Sequence, residues 1–119
     1  MSAVSATPLF IDTGAFYAWF DENTNRHERA ATVFEGIEDG EWPYRPLYTS
    51  TYVVDELATL ILSRQDHQTA VEAIESVRES VVQILEADDV FDETYEQFRQ
   101  YDSRELSFTD HSTAVLANH

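Results

Sequence analysis

The chain has 119 residues, of which 23 are Asp or Glu and seven are basic, for a formal charge of −16. A chain of that length buries roughly two-thirds of its unfolded surface in a single domain, and the lack of Cys excludes a disulfide framework, a Cys-ligated zinc site and thiol catalysis. No run approaches about 18 apolar residues, so no segment reads as membrane-spanning, and the residues ahead of Pro8 lack the basic-then-apolar order of a secretory signal, which reads the chain as cytoplasmic.

Leu9-Phe10-Ile11 is a short apolar run bounded by Asp12-Thr13-Gly14 and reads as a buried strand. Ala15 to Phe20 predicts a short helix. Its Phe16, Tyr17, Trp19 and Phe20 serve either as core or as faces on which bases stack. His27 to Ile37 predicts a second helix, with Ala30, Ala31, Val33, Phe34 and Ile37 apolar and Gly40 as its stop. Pro43 to Pro46 reads as a loop, and Leu47-Tyr48-Thr49 as a weak second strand. Tyr52 to Ser63 predicts a long helix, with Val53, Val54, Leu57, Leu60 and Ile61 at helical spacing. Gln68 to Arg78 predicts another, with Ala70, Val71, Ile74 and Val77 inward. Val81 to Leu85 is the clearest strand by β-branching. Asp92 to Tyr101 predicts a helix with Phe91, Tyr95 and Phe98 on one face, and Thr109 reads as the N-cap of a last helix that starts at Asp110. Strands alternating with helices predict an α/β fold, a parallel sheet flanked by helices. The last helix runs to the end of the chain with no strand after it, which reads as a domain incomplete at its C-terminus.

All seven basic residues are Arg and none is Lys. A carboxylate surface without Lys predicts a halophilic protein, because molar salt shortens the Debye length to about 3 Å and screens self-repulsion. A basic partner is the other reading. Such acidity excludes a broad electrostatic grip on nucleic acid, so nucleic-acid chemistry here would work through a metal cation.

Four carboxylates stand out. Asp12 falls where the first strand turns into a helix, at the sheet edge where ligand sites gather. It serves there either as a functional acid or as a helix cap. Glu56 lies three residues after Val53 and four before Leu60, so it borders the apolar face of its helix, whereas Asp55 faces water. Asp110 opens the last helix, where it is either a site residue or a favourable partner of the helix dipole. Asp102 lies just beyond the preceding helix, either in the site or as a solvated helix-end residue. Converging acids stay ionised only around a cation, and Mg²⁺, with oxygen ligands and retained waters, suits such a set. The four His residues lack zinc-site spacing, and there is no Walker loop, dinucleotide fingerprint or nucleophile elbow. Asp12-Thr13-Gly14 after an apolar run is also similar to the motif of retropepsin-like aspartic proteases. That fold is all-β and Gly-rich, unlike this chain.

Leu9-Phe10-Ile11-Asp12-Thr13-Gly14-Ala15-Phe16-Tyr17-Ala18, Val53-Val54-Asp55-Glu56-Leu57-Ala58-Thr59-Leu60, and Tyr101-Asp102-Ser103-Arg104-Glu105-Leu106-Ser107-Phe108-Thr109-Asp110 are three segments that together resemble the motifs of the PIN-domain ribonucleases, in the branch of VapC-like toxins. The resemblance implies that residues 1–119 are a single PIN-like domain with its C-terminal strands missing. It implies a Mg²⁺- or Mn²⁺-dependent endoribonuclease, the toxin of a toxin–antitoxin pair, acting on RNA as a homodimer with an antitoxin protein as partner. Asp12, Glu56 and Asp110 carry over as metal-binding acids and Asp102 as a recurrent fourth, with Arg99 and Arg104 toward the RNA. A catalytically weak PIN-like RNA-binding or scaffold domain is the alternative.

Overall fold

Strands β1 (Thr7–Phe10), β2 (Tyr44–Ser50) and β3 (Gln83–Leu85) form one parallel sheet in the order β1-β2-β3. The structure is a computed structural model that describes residues 7–20, 27–41 and 43–118, without the side chains of residues 27–30 and 33. Expectations about the first six residues, Arg26, the side chains of Arg29, Ala30 and Val33, and His119 lie outside the described residues. Helices α1 (Thr13–Phe20), α2 (His27–Glu38), α3 (Thr51–Arg64), α4 (His67–Glu79), α5 (Phe91–Gln100) and α6 (Phe108–Ala117) flank the sheet, and a 3₁₀ turn spans Ala87–Val90. The predicted α/β architecture with parallel strands is the architecture observed.

Helix α3 forms the centre of the core. Val53, Leu57 and Ile61 recur every four residues, share one face, and have no exposed surface. They join Ile11, Phe16 and Tyr17 on one side of the sequence and Ala70, Ala73 and Val77 of α4 on the other in one apolar cluster. Burying each such aliphatic side chain is worth roughly 1.5–3 kcal/mol. The aromatics after Asp12 belong to this core. Phe16 is 1 % exposed, and the Trp19 ring stacks on Phe34 with centroids 4.5 Å apart. Gly40 follows α2 with φ +79°, the left-handed conformation that carries no Cβ penalty in glycine.

Four expectations are corrected. Val71 is exposed, and Ala73 takes its place on the buried face of α4. Pro43 to Pro46 is not simply a loop, because β2 begins at Tyr44 and runs through Pro46. The β1 register steps from Tyr44 to Leu47 while β1 advances only from Thr7 to Leu9. That extra residue is a bulge, where a proline's missing N–H is tolerated. Val81 to Leu85 pairs only over Gln83–Leu85, and Val81 is 76 % exposed. In the register Tyr48↔Gln83, the residue opposite Val81 would be Pro46, which has no N–H to give. The last helix is capped by Ser107 rather than Thr109.

Candidate active site

The parallel ladder delivers two helix starts to one sheet edge. The Ile11 N–H donates to the Tyr48 carbonyl at 2.7 Å, so pairing continues past β1 to the residue before Asp12. The Thr49 hydroxyl donates to the Ile11 carbonyl at 2.9 Å, and Thr49 and Ser50 are wholly buried. Beyond that joint the chain turns into α1 after Asp12 and into α3 after Ser50. Ser50 caps α3 by accepting the Val53 N–H at 3.2 Å.

Asp12 is exposed, and its Oδ1 accepts the Ala15 N–H at 2.9 Å. The helix-cap reading of Asp12 is therefore realised, but it uses one carboxylate oxygen and no bond among the described residues holds the other. Next to it, the Thr13 hydroxyl is buried without a partner. Glu56 is half-buried in the second turn of α3, one residue before Leu57, while Asp55 is exposed.

Asp110 is exposed in the first turn of α6. The Ser107 N–H donates to its Oδ2 at 2.9 Å and its own N–H donates to the Ser107 hydroxyl at 3.0 Å, a reciprocal capping box. As at Asp12, capping occupies one oxygen. Helix α6 packs against α3, with the Phe108 ring 6.2 Å from that of Tyr52, and α1 packs against α3 as well. The Tyr52 hydroxyl donates to Asp88 Oδ1 at 2.6 Å. That bond to a carboxylate, with burial and the negative charges of Asp88 and Glu86, pushes the phenol up to about 12.

Asp102 is exposed in the connection between α5 and α6, in a tight turn where the Ser103 N–H donates to the Tyr101 carbonyl at 2.9 Å. Arg104 is exposed in the same connection. Arg99 is held at 2.8 Å by Glu96, a bond that raises the guanidinium and lowers the carboxyl from their ordinary values. The elements carrying Asp12, Glu56 and Asp110 are therefore joined through α3, whereas Asp102, Arg99 and Arg104 lie on α5 and the connection after it. Among the described residues, no three Asp, Glu or His side chains lie together as a set that could hold a metal ion.

In donor type, though not as an assembled set, the acids suit a hard divalent cation. They offer only carboxylate oxygens, and Mg²⁺ takes one or two carboxylates directly while keeping waters.

The sequence reading missed two residues here. Ser107 was detectable, because Ser-x-x-Asp ahead of an apolar run is the capping-box pattern. His111, 5 % exposed, was not: its Nδ1 lies 3.1 Å from Gln97 Oε1, a partner 14 residues away.

A parallel sheet between helices excludes the retropepsin alternative, whose fold is all-β. No helix among the described residues is long and apolar enough to cross a membrane. Among solved structures the chain is similar to VapC20 of Mycobacterium tuberculosis, described as a Sarcin-Ricin loop cleaving toxin. The TM-score is 0.78 at 25 % identity, over 92 % of this chain and 81 % of that one. No curated protein matches the chain. The sequence profile of the PIN domain matches residues 9–119, nearly the whole chain, and the chain therefore belongs to the PIN domain family.

Proposed function

We propose that this protein is a Mg²⁺- or Mn²⁺-dependent endoribonuclease, the cytoplasmic toxin of a toxin–antitoxin pair, with Asp12, Glu56 and Asp110 as its metal-binding acids. One observation carries the reading. The three acids sit at or near the starts of α1, α3 and α6, which pack together through α3, and Asp12 and Asp110 each commit one oxygen to the backbone. Membership of the PIN domain family and the likeness to an RNA-cleaving toxin support it.

Asp12, Glu56 and Asp110 would hold the ion. When bound, such an ion supplies a nucleophilic water at neutral pH and offsets charge on the phosphate being cut. The chain's own work is positional. The Ala15 N–H fixes the rotation of Asp12, the Ser107 N–H fixes Asp110, and the buried face of α3 fixes Glu56. Asp102 is proposed as a fourth acid near the substrate. Arg104 is proposed to contact RNA, and so is Arg99 once it exchanges Glu96 for phosphate. An antitoxin protein and a second copy of the chain are the proposed protein partners.

A second reading is a catalytically weak RNA-binding or scaffold domain. It is favoured by the absence, among the described residues, of an assembled three-acid set. Cleavage of a structured RNA in Mg²⁺ or Mn²⁺ against EDTA separates the two. The first reading expects metal-dependent cuts that Asp12→Asn removes. RNA that is bound but never cut in either ion would favour the second.

A further inference from the structure

We infer that the cavity between α5 and α6 holds one unpaired nucleobase of the RNA, stacked on Tyr101 and read at its edge by Gln97 and His111. This deepens the ribonuclease reading and rests on it. The cavity has a volume of about 210 Å³ and is lined by Gln97, Tyr101, Leu106, Asp110, His111 and Ala114. Sites for drug-sized ligands occupy roughly 300–1,000 Å³, so this one suits a single ring system rather than a whole nucleotide.

The walls suit a base. Tyr101 is 59 % exposed and Leu106 46 % exposed, which leaves an aromatic face and an aliphatic side chain open to a flat ligand. The Tyr101 ring lies 6.2 Å from the His111 ring, and Phe98 holds His111 edge-on at 5.7 Å. His111 is buried, with Nδ1 facing Gln97 Oε1 and with Nε2, itself shut off from solvent, left without a partner. Whichever nitrogen carries the proton, one ring position keeps unused hydrogen-bonding capacity. With its oxygen facing His111, Gln97 has an NH₂ group as a second polar edge beside it. A base edge entering beside the Gln97 carboxamide would give the buried Nε2 the partner it lacks.

Charge points the same way. At −16 the protein cannot gather RNA by broad counterion release, so its grip must come from contacts that do not need a basic surface. Stacking is such a contact. Asp110 lines the cavity and is one of the proposed catalytic acids, so the captured base adjoins the phosphate to be cut.

A single-stranded oligoribonucleotide carrying 2-aminopurine tests this, titrated into the full chain in EDTA so that no cleavage intervenes. The expected result is a change in 2-aminopurine fluorescence on binding. Tyr101→Ala should weaken binding about 10- to 100-fold and abolish the change. Tyr101→Phe, which keeps the stacking face, should restore both. Equal affinity and fluorescence in the parent and Tyr101→Ala would overturn the proposal. If the parent still cuts RNA in metal, the ribonuclease reading would then stand alone. If no RNA is bound or cut, both fall. A Tyr101→Ala variant that changes self-association in sedimentation but binds RNA normally would make the cavity a protein contact, and the proposal would fail.

Discussion

Ser107 and Asp110 hold each other at the start of α6, each accepting the other's backbone N–H, at 2.9 and 3.0 Å. The pair separates a stabilising role for Asp110 from a chemical one. Ser107→Ala removes the hydroxyl acceptor and should cost about 1 kcal/mol in denaturant unfolding, leaving RNA cleavage within a few-fold of the parent. Asp110→Asn keeps an acceptor oxygen and most of the stability, yet should lower cleavage about 100-fold or more. Equal activity losses in the two variants would reduce Asp110 to a cap.

Asp55 and Glu56 are adjacent in the chain but differ in burial on α3. Glu56→Gln should reduce metal-dependent cleavage by about 100-fold, in the range expected for a lost ligand. Asp55→Asn, on the water-facing side, should change it less than about threefold. Matching effects at the two positions would place the active face of α3 elsewhere.

The helices were legible because their apolar residues recur at the period of the buried face. Val53, Leu57 and Ile61 can be read directly from the sequence as the centre of the core. Asp12 was legible at a helix start with its capping role, since both follow from residue type and local position, whereas at α6 the sequence points to Thr109 as the cap and to the dipole for Asp110, and the Ser107–Asp110 box takes their place. What local pattern could not reach were features created by pairing. Pro46 looks like a loop residue until a bulge gives it a place in β2. Val81 has high strand propensity but no suitable partner across from it. His111 looks like one more polar residue in a helix until Gln97 arrives from α5. Whether three acids meet depends on how α1, α3 and α6 pack, which no spacing in the chain encodes.

Tyr52 titrates late. Its bond to Asp88 raises the folded phenol to about 12, above the ordinary value of 10.0. A raised pKa contributes stability that is complete below the unfolded value and is lost as pH climbs through the folded one. An alkaline titration followed at the tyrosinate band should therefore show one phenol ionising near pH 12. Tyr52→Phe should delete that phase and remove stability at pH 7. A titration with no late phase would mean that the Tyr52–Asp88 bond does not persist in solution.

Seven Arg, no Lys and a charge of −16 predict dependence on salt. Raising KCl from about 0.1 M to about 1 M shortens the screening length from about 10 Å to about 3 Å. The melting temperature should rise across that interval as self-repulsion fades. A flat or falling curve would contradict the halophile reading.

If Asp12, Glu56 and Asp110 act together on a divalent cation, a calorimetric titration with Mn²⁺ will show it. The parent chain should bind Mn²⁺ saturably, Asp12→Asn and Asp110→Asn should lose that binding, and Asp55→Asn should bind as the parent does. Binding that survives unchanged in both Asp12→Asn and Asp110→Asn, or a parent chain that takes up no metal, would contradict joint action by the three acids.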